Sequence, residues 1–261
     1  MPMERYQVKV VVPIYAEQLD HNEHKSLCRT VAVLGRYPIV LLAPEGLDVS
    51  ALEAEFPMCD VVRVTDEWLG RKNGIDGYNR MMLSREFYEM FADCDYILIC
   101  QTDAWIFRDE LEQWCSRAYD YVGAPWPKRK VYDNPLIKCY LRLRKWLFGS
   151  PRRILRQEGF DRVGNGGLSL RRVAAFVAAC DRYAEIIDYF KCHHGTRYNE
   201  DWFWAIVPKE FVYPTLHEAL RFSFDIKPEV CFELTRGELP FGCHGWSKPR
   251  MYEFWRPIIV E

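Results

Sequence analysis

Apolar runs separated by amphipathic stretches organise the first 120 residues. Residues 8–15 are almost continuously apolar and rich in Val, the pattern of a central strand covered on both faces. A helical stretch that begins polar follows at 16–34. A second strand spans 38–42 and ends in the turn cluster Ala43-Pro44-Glu45-Gly46. The spacing predicts a short helix over 49–55, a strand over 61–65, a helix over 77–91, a strand over 96–100 and a helix over 109–118, with Asp109 as candidate N-cap. Strands alternating with helices in this way predict a parallel sheet with crossover helices. After residues 121–126 the alternation breaks. A basic stretch follows, then the glycine-rich turn 164–167, a strand at 168–172 that leads into a long helix over 171–190, and a polar loop ending in Asn199-Glu200-Asp201. The last part is rich in Pro, Gly and aromatics.

Composition adds bounds. With 261 residues and 49% hydrophobic content the chain can bury a sizeable core. The N-terminal residues Met1-Pro2-Met3-Glu4-Arg5 lead straight into the first strand without a signal-peptide pattern, and no stretch approaches membrane-spanning length. The ten cysteines form no CxxC pair and read as reduced core thiols of a cytoplasmic protein. The net charge of −2 hides an asymmetry: residues 128–156 hold ten Lys/Arg and one acid, which leaves 25 basic and 36 acidic residues elsewhere.

Four groups of residues carry chemistry. The triplet Gln101-Thr102-Asp103 interrupts an apolar run where a strand ends. A carboxylate there is costly to bury unless paired or bound to a cation, and ligands of open α/β sheets sit at such strand ends. Asp103 is therefore a metal or substrate ligand, or a cap or salt-bridge partner. His244 lies between two glycines, with Lys248 four residues on; Gly allows close backbone approach to a phosphate, and the lysine can neutralise one. Glu200 and Asp201 open an aromatic segment, either as helix-capping acids or as a general base beside an aromatic wall suited to the apolar C–H faces of a sugar. The turn Gly164-Asn165-Gly166-Gly167 lets backbone approach a ligand, or simply turns the chain.

The order of these groups, from the strand-end triplet through Gly-Asn-Gly-Gly-Leu-Ser-Leu-Arg and Asn-Glu-Asp to His-Gly-Trp-Ser-Lys-Pro, resembles the GT-A glycosyltransferases. The likeness is close to a bacterial group of GT-A-like domains of unknown function. It runs from the first strand to about Trp246. The resemblance implies a Rossmann-like, mixed and mostly parallel α/β sheet flanked by helices, with an irregular C-terminal acceptor-side half. It makes residues 1–261 a single domain with a nucleotide-sugar-binding half (1–127), a basic amphipathic insertion (128–158) and an acceptor and catalytic half (159–261). It implies Mn²⁺ or Mg²⁺ on Asp103 and His244, with Gln101 standing where a second acid is expected. Donor contacts fall to Pro13, Tyr15, Tyr78, Asn79, Arg80, Gln101, Thr102, Asp103, Asn165, Gly166, Gly167 and Lys248. Asp201 is the favoured base, with Glu200 beside it. The implied reaction moves a sugar from a nucleotide-sugar to a hydroxyl of a glycan or lipid-linked acceptor, in cell-surface polysaccharide synthesis, with inversion favoured.

In the insertion, Leu136, Tyr140, Leu143 and Leu147 lie at helical spacing, flanked by Ile137, Leu141 and Phe148. Lys138, Arg142 and Lys145 form another face, extended by Arg152, Arg153 and Arg156. Such a helix suits the anionic inner leaflet of the cell membrane through residues 136–156; the alternative is that its apolar stripe packs on the core. A nucleotidyltransferase should carry a Gly-rich, Lys/Arg-bearing loop after the first strand, where this chain has Pro13-Ile14-Tyr15-Ala16-Glu17-Gln18. A non-catalytic sugar-binding domain is the other alternative. Nucleic acid is not expected as a partner, because the acidic remainder of the chain opposes it.

Overall fold

A computed structural model describes residues 6–70, 73–150 and 152–259; residues 1–5, where the sequence shows no leader pattern, lie outside them. The strands are β1 (Val8–Pro13), β2 (Ile39–Pro44), β3 (Asp60–Val64), β4 (Tyr96–Cys100), β5 (Ala104–Ile106), β6 (Tyr121–Gly123), β7 (Leu168–Arg172), β8 (Ser223–Phe224) and β9 (Gly242–His244). Six of them form the main sheet in the order β3-β2-β1-β4-β7-β6. β3, β2, β1 and β4 are parallel, and β7 enters antiparallel between β4 and β6. A small sheet, β5-β9-β8, lies beyond the triplet.

Period-two alternation decides the two faces. Val11, Ile97 and Ile99 point into one cluster; Val10, Val12, Leu98 and Cys100 point into the other. The second cluster is covered by α1 (His21–Leu34) and α2 (Ser50–Glu55), the first by α3 (Gly74–Met82) and α4 (Arg85–Glu89), and α5 (Leu111–Cys115) returns to the second. The helix α6 (Pro135–Phe148) buries no residue. α7 (Val173–Arg182), α8 (Ala184–Lys191) and α9 (Glu200–Ile206) pack on the first cluster. α10 (Leu216–Phe222), α11 (Pro228–Leu234) and α12 (Pro249–Trp255) build a third cluster around Phe224, Cys243 and Trp255.

Four expectations need correction. The first helix begins at His21, where Asp20 and Glu23 form a reciprocal capping box that satisfies the free N–H groups. The helix expected over 77–91 is two, α3 and α4, parted at Ser84, whose hydroxyl bonds the Met81 carbonyl at 2.7 Å. The helix expected over 171–190 begins only at Val173, because Arg171 and Arg172 pair with β4 and β6, and it breaks again at Tyr183. Not all cysteines are core thiols: Cys139 and Cys192 are exposed. No helix among the described residues is long and apolar enough to cross a membrane.

Candidate active site

The strand order places the site. After β1 the chain builds β2 and β3 on one side, then crosses to β4 on the other, so a crevice opens between the carboxyl ends of β1 and β4. Tyr15 follows β1 and the triplet follows β4. β9 brings His244 to the same place through its pairing with β5, in which Ala104 faces His244.

His244 is the hub. Its Nε2 lies 3.0 Å from Asp103 Oδ1 and 3.1 Å from Gln101 Oε1, and its Nδ1 lies 3.1 Å from Asp225 Oδ1. Lys248 Nζ sits 2.9 Å from the other oxygen of Asp103. Burial works against the charged imidazole, but Asp103 and Asp225 outweigh it and raise its pKa to about 9. Burial likewise opposes the Asp103 charge, yet His244 and Lys248 hold that carboxyl well below the usual range. Gln101 is oriented from behind, its amide N–H donating to the Tyr15 hydroxyl at 3.1 Å, which turns the amide oxygen toward His244. Asn165 Nδ2 also approaches Nδ1, at 3.1 Å, while its oxygen accepts the N–H groups of Gly167 and Leu168. Asp225 can only accept, and the amide nitrogen of Asn165 can only donate, so a proton on Nδ1 goes to Asp225.

These residues fit a divalent cation. With Nδ1–H held by Asp225, a neutral ring presents Nε2 as a ligand, the carboxylate-histidine arrangement that orients metal-bound imidazoles. Asp103 Oδ1 and Gln101 Oε1 meet that nitrogen, and such an N/O set suits Mn²⁺ or Mg²⁺. A different group of side chains close enough together to hold a metal ion, His24, Cys28 and Glu55, involves none of the predicted site residues.

The glycine turn is needed for space rather than for φ. A Cβ on Gly167 would fall 2.1 Å from His244 Nε2, and one on Gly166 would fall 1.9 Å from Glu200 Oε1. Glu200 is 2% exposed and lies 3.0–3.1 Å from the fully buried Arg171. Arg171 is further held by the Tyr88 hydroxyl at 2.8 Å and lies over the rings of Tyr121 and Phe176. Burial pushes the Glu200 carboxyl up against the pull of this arginine. Asp201, by contrast, lines a cavity of about 340 Å³ together with Trp126 and Trp202. Burial, reinforced by the Glu200 charge, raises its pKa well above the usual carboxylate range. A second cavity, of about 390 Å³, opens beside Tyr15 at the ends of β1 and β2, against Pro44, Gly46 and Asp66.

The predicted residues thus divide. Gln101, Asp103, Asn165, Gly167, His244 and Lys248 come together, with Tyr15 behind them. Tyr78 and Asn79 brace the surroundings: the Tyr78 hydroxyl donates to the Gly166 carbonyl, and Asn79 binds Asn199 and the Glu200 N–H. Pro13 pairs with Leu42 inside the sheet. Thr102 turns to Glu23 of α1, with its hydroxyl at 3.2 Å, and Arg80 is exposed on α3, so neither joins the cluster. Asp225 and Arg171 belong to the centre and were not singled out from the sequence. Alternation in β7 does place Ser169 and Arg171 on one face, opposite Leu168 and Leu170; Asp225 follows a two-residue strand and carries no such signal.

Residues 58–244, from the loop before β3 through His244, match one family profile. The chain belongs to the family described as protein of unknown function (DUF5672). No curated protein matches it. Among solved structures, this DUF5672 member is similar to mouse xyloside xylosyltransferase 1 in its apo form, with a TM-score of 0.54 at 12% identity over 92% of this chain and 97% of that one. It is similar to the galactosyltransferase LgtC in complex with donor and acceptor sugar analogues, with a TM-score of 0.54 at 12% identity over 90% and 86% of the two chains. The DUF5672 fold represented here is that of the GT-A glycosyltransferases.

Proposed function

We propose that this protein is a nucleotide-sugar-dependent glycosyltransferase that inverts the anomeric centre and extends a glycan or lipid-linked acceptor in cell-surface polysaccharide synthesis. The observation that carries the reading is the meeting of Gln101, Asp103 and His244 at the crevice between β1 and β4. In this reading, residues 1–127 hold the nucleotide-sugar, 128–158 form an insertion and 159–261 supply the acceptor side and the base.

Asp103, His244 and Gln101 would hold Mn²⁺ or Mg²⁺, which neutralises the charge that develops on a departing nucleoside diphosphate. Lys248, already on Asp103, adds a second positive charge to the diphosphate side. Tyr15 and the cavity beside it receive the nucleobase. The acceptor hydroxyl oxygen bonds to the anomeric carbon from the opposite face. The bond from that carbon to the diphosphate oxygen breaks, and the hydroxyl proton passes to Asp201. Asp201 is favoured over Glu200 because it reaches a cavity, whereas Glu200 is sealed in the core and engaged by Arg171. A raised pKa suits a carboxylate that must take a proton near neutral pH.

The same reading places the protein in the cytoplasm, docked through residues 136–156 on the anionic inner leaflet, where a lipid-linked acceptor is at hand.

A panel of nucleotide-sugars, scored for binding and for hydrolysis with and without Mn²⁺, tests the activity; indifference to every donor removes it in favour of a non-catalytic sugar-binding role. Asp201→Asn is expected to abolish transfer while the protein stays folded and still binds the donor. An active Asp201→Asn enzyme overturns the base assignment.

A further inference from the structure

The cavity at Asp201 has a chemical bias of its own. Its apolar wall is an indole pair, Trp126 and Trp202, stacked with centroids 4.6 Å apart and planes 26° from parallel. Two glycines make room for the pair: a Cβ on Gly164 would fall 2.4 Å from Trp126, and one on Gly159 would fall 2.8 Å from Trp202 and 3.1 Å from Trp126. Such a wall accepts the apolar face of a pyranose ring, and Asn199 and Asp201 supply polar groups beside it.

Two cations also line the cavity, Arg156 and Lys227. They arrive from distant parts of the chain: Arg156 from the end of the insertion, after α6, and Lys227 from the turn between β8 and α11. Neighbouring basic residues are engaged by carboxylates, Lys128 by Asp133 and Asp161 and Lys145 by Glu158. Arg156 and Lys227 have no carboxylate partner among the described residues. The Lys227 ammonium is tied instead to the Pro127 carbonyl at 3.2 Å, next to Trp126. Its backbone is left-handed, with φ 56° and ψ 56°, a conformation that disfavours any residue with a Cβ. The fold therefore holds a strained lysine at the rim of a cavity where neither cation is paired with the one acid of the lining, Asp201. The cavity adjoins the cluster at His244, because Asp225 grips that ring while the next two residues, Ile226 and Lys227, line the cavity.

Resting on the glycosyl-transfer reading above, we infer that this cavity is the acceptor subsite and that it selects a sugar bearing an anionic group, with the ring against Trp126 and Trp202 and the anion between Arg156 and Lys227. A uronate carboxylate and a phosphodiester, such as joins a sugar to a lipid, both supply this chemistry.

Calorimetric titration of the full-length protein tests it, with methyl glycosides, methyl glycuronides and glycosyl ethyl phosphates of glucose, galactose and mannose as probes. At least one anionic probe is expected to bind about tenfold more tightly than its neutral counterpart, the scale of one added hydrogen bond to a charged group. Whether the carboxylate or the phosphodiester arm shows the gain names the anion. In the Arg156→Gln/Lys227→Gln double variant the preference should vanish. Equal affinity for neutral and anionic probes, absence of binding to every anionic probe, or a preference that survives the double variant overturns the inference. UDP and GDP titrated with Mn²⁺ separate this from the parent reading. Nucleotide binding without an anionic preference rejects the subsite alone; an anionic preference without any nucleotide binding rejects glycosyl transfer and leaves an anionic-sugar site.

Discussion

Asp201 and Glu200 are adjacent in sequence yet face different problems. Glu200 is solvated by a guanidinium inside the core, and Asp201 faces a cavity with its charge opposed by burial and by Glu200. A carboxyl whose pKa rises on folding favours the native state while protonated. Its stabilisation is complete below the ordinary value of 3.8 and is lost as pH rises through the elevated folded value. Asp201→Asn is therefore expected to melt with the wild type in acid and at a higher temperature than the wild type at pH 8; thermal scans across pH read this directly. Arg171 is the opposite case. Arg171→Met leaves the buried Glu200 carboxyl without its cation and should cost about 3–5 kcal/mol. Adding Glu200→Gln should return part of that loss, since the orphaned charge is removed, and urea unfolding of the four variants measures the coupling. A strand containing Arg171 and Arg172 resembles an exposed one, so alternation gave the arginine's face but not its enclosure by Tyr88, Tyr121 and Phe176.

Among the elements, long apolar runs announce themselves, and β1, β2, β3 and β4 fall close to where the sequence places them. The elements that escape are those whose ends are decided by tertiary contacts. α3 and α4 part where Met81 and Met82 give their carbonyls to the Ser84 and Tyr88 hydroxyls. The strands β5, β8 and β9 are two or three residues long, too short for any periodicity. The glycine turn was visible, but its reason was not: it is set by the side chains that press on it. Gly167→Ala is expected to push the His244 ring from its place and to destabilise the fold by about 1–3 kcal/mol. Loss of Mn²⁺ affinity together with a lowered denaturation midpoint would bear this out; unchanged Mn²⁺ binding would refute it. α6 corrects one alternative. Its stripe does not pack on the core: Leu136 is 81% exposed and Trp146 80%, with Tyr140, Leu143, Leu147 and Phe148 also exposed. Only the Ile137, Leu141 and Arg144 side is partly covered, and Gln157 bonds Leu141 and Arg144 there. Replacing Leu143, Trp146 and Leu147 by Ser, all at exposed positions, should change stability by no more than about 0.5 kcal/mol each. The same change should abolish salt-sensitive cosedimentation with anionic vesicles, and a wild-type protein that ignores such vesicles sinks the docking.

At the scale of the molecule, the mostly parallel sheet with its helices was legible because strand and helix patterns alternate for 120 residues. The antiparallel insertion of β7 was not, since nothing local in Leu168–Arg172 states which neighbours it takes. The candidate site was legible as a set of motifs and illegible as a geometry: Asp103, Asn165, Asp201 and His244 were in view, while Asp225, which aligns the imidazole, was hidden in an unremarkable stretch. The small sheet has a temporal consequence. His244 lies on the last strand among the described residues, and β9 reaches its place by pairing with β5 and β8. During synthesis the four parallel strands can assemble once β4 has emerged, whereas the crevice gains its imidazole more than 140 residues after Asp103. The four parallel strands can thus be in place well before the candidate site is complete, and the site closes only once β9 has emerged.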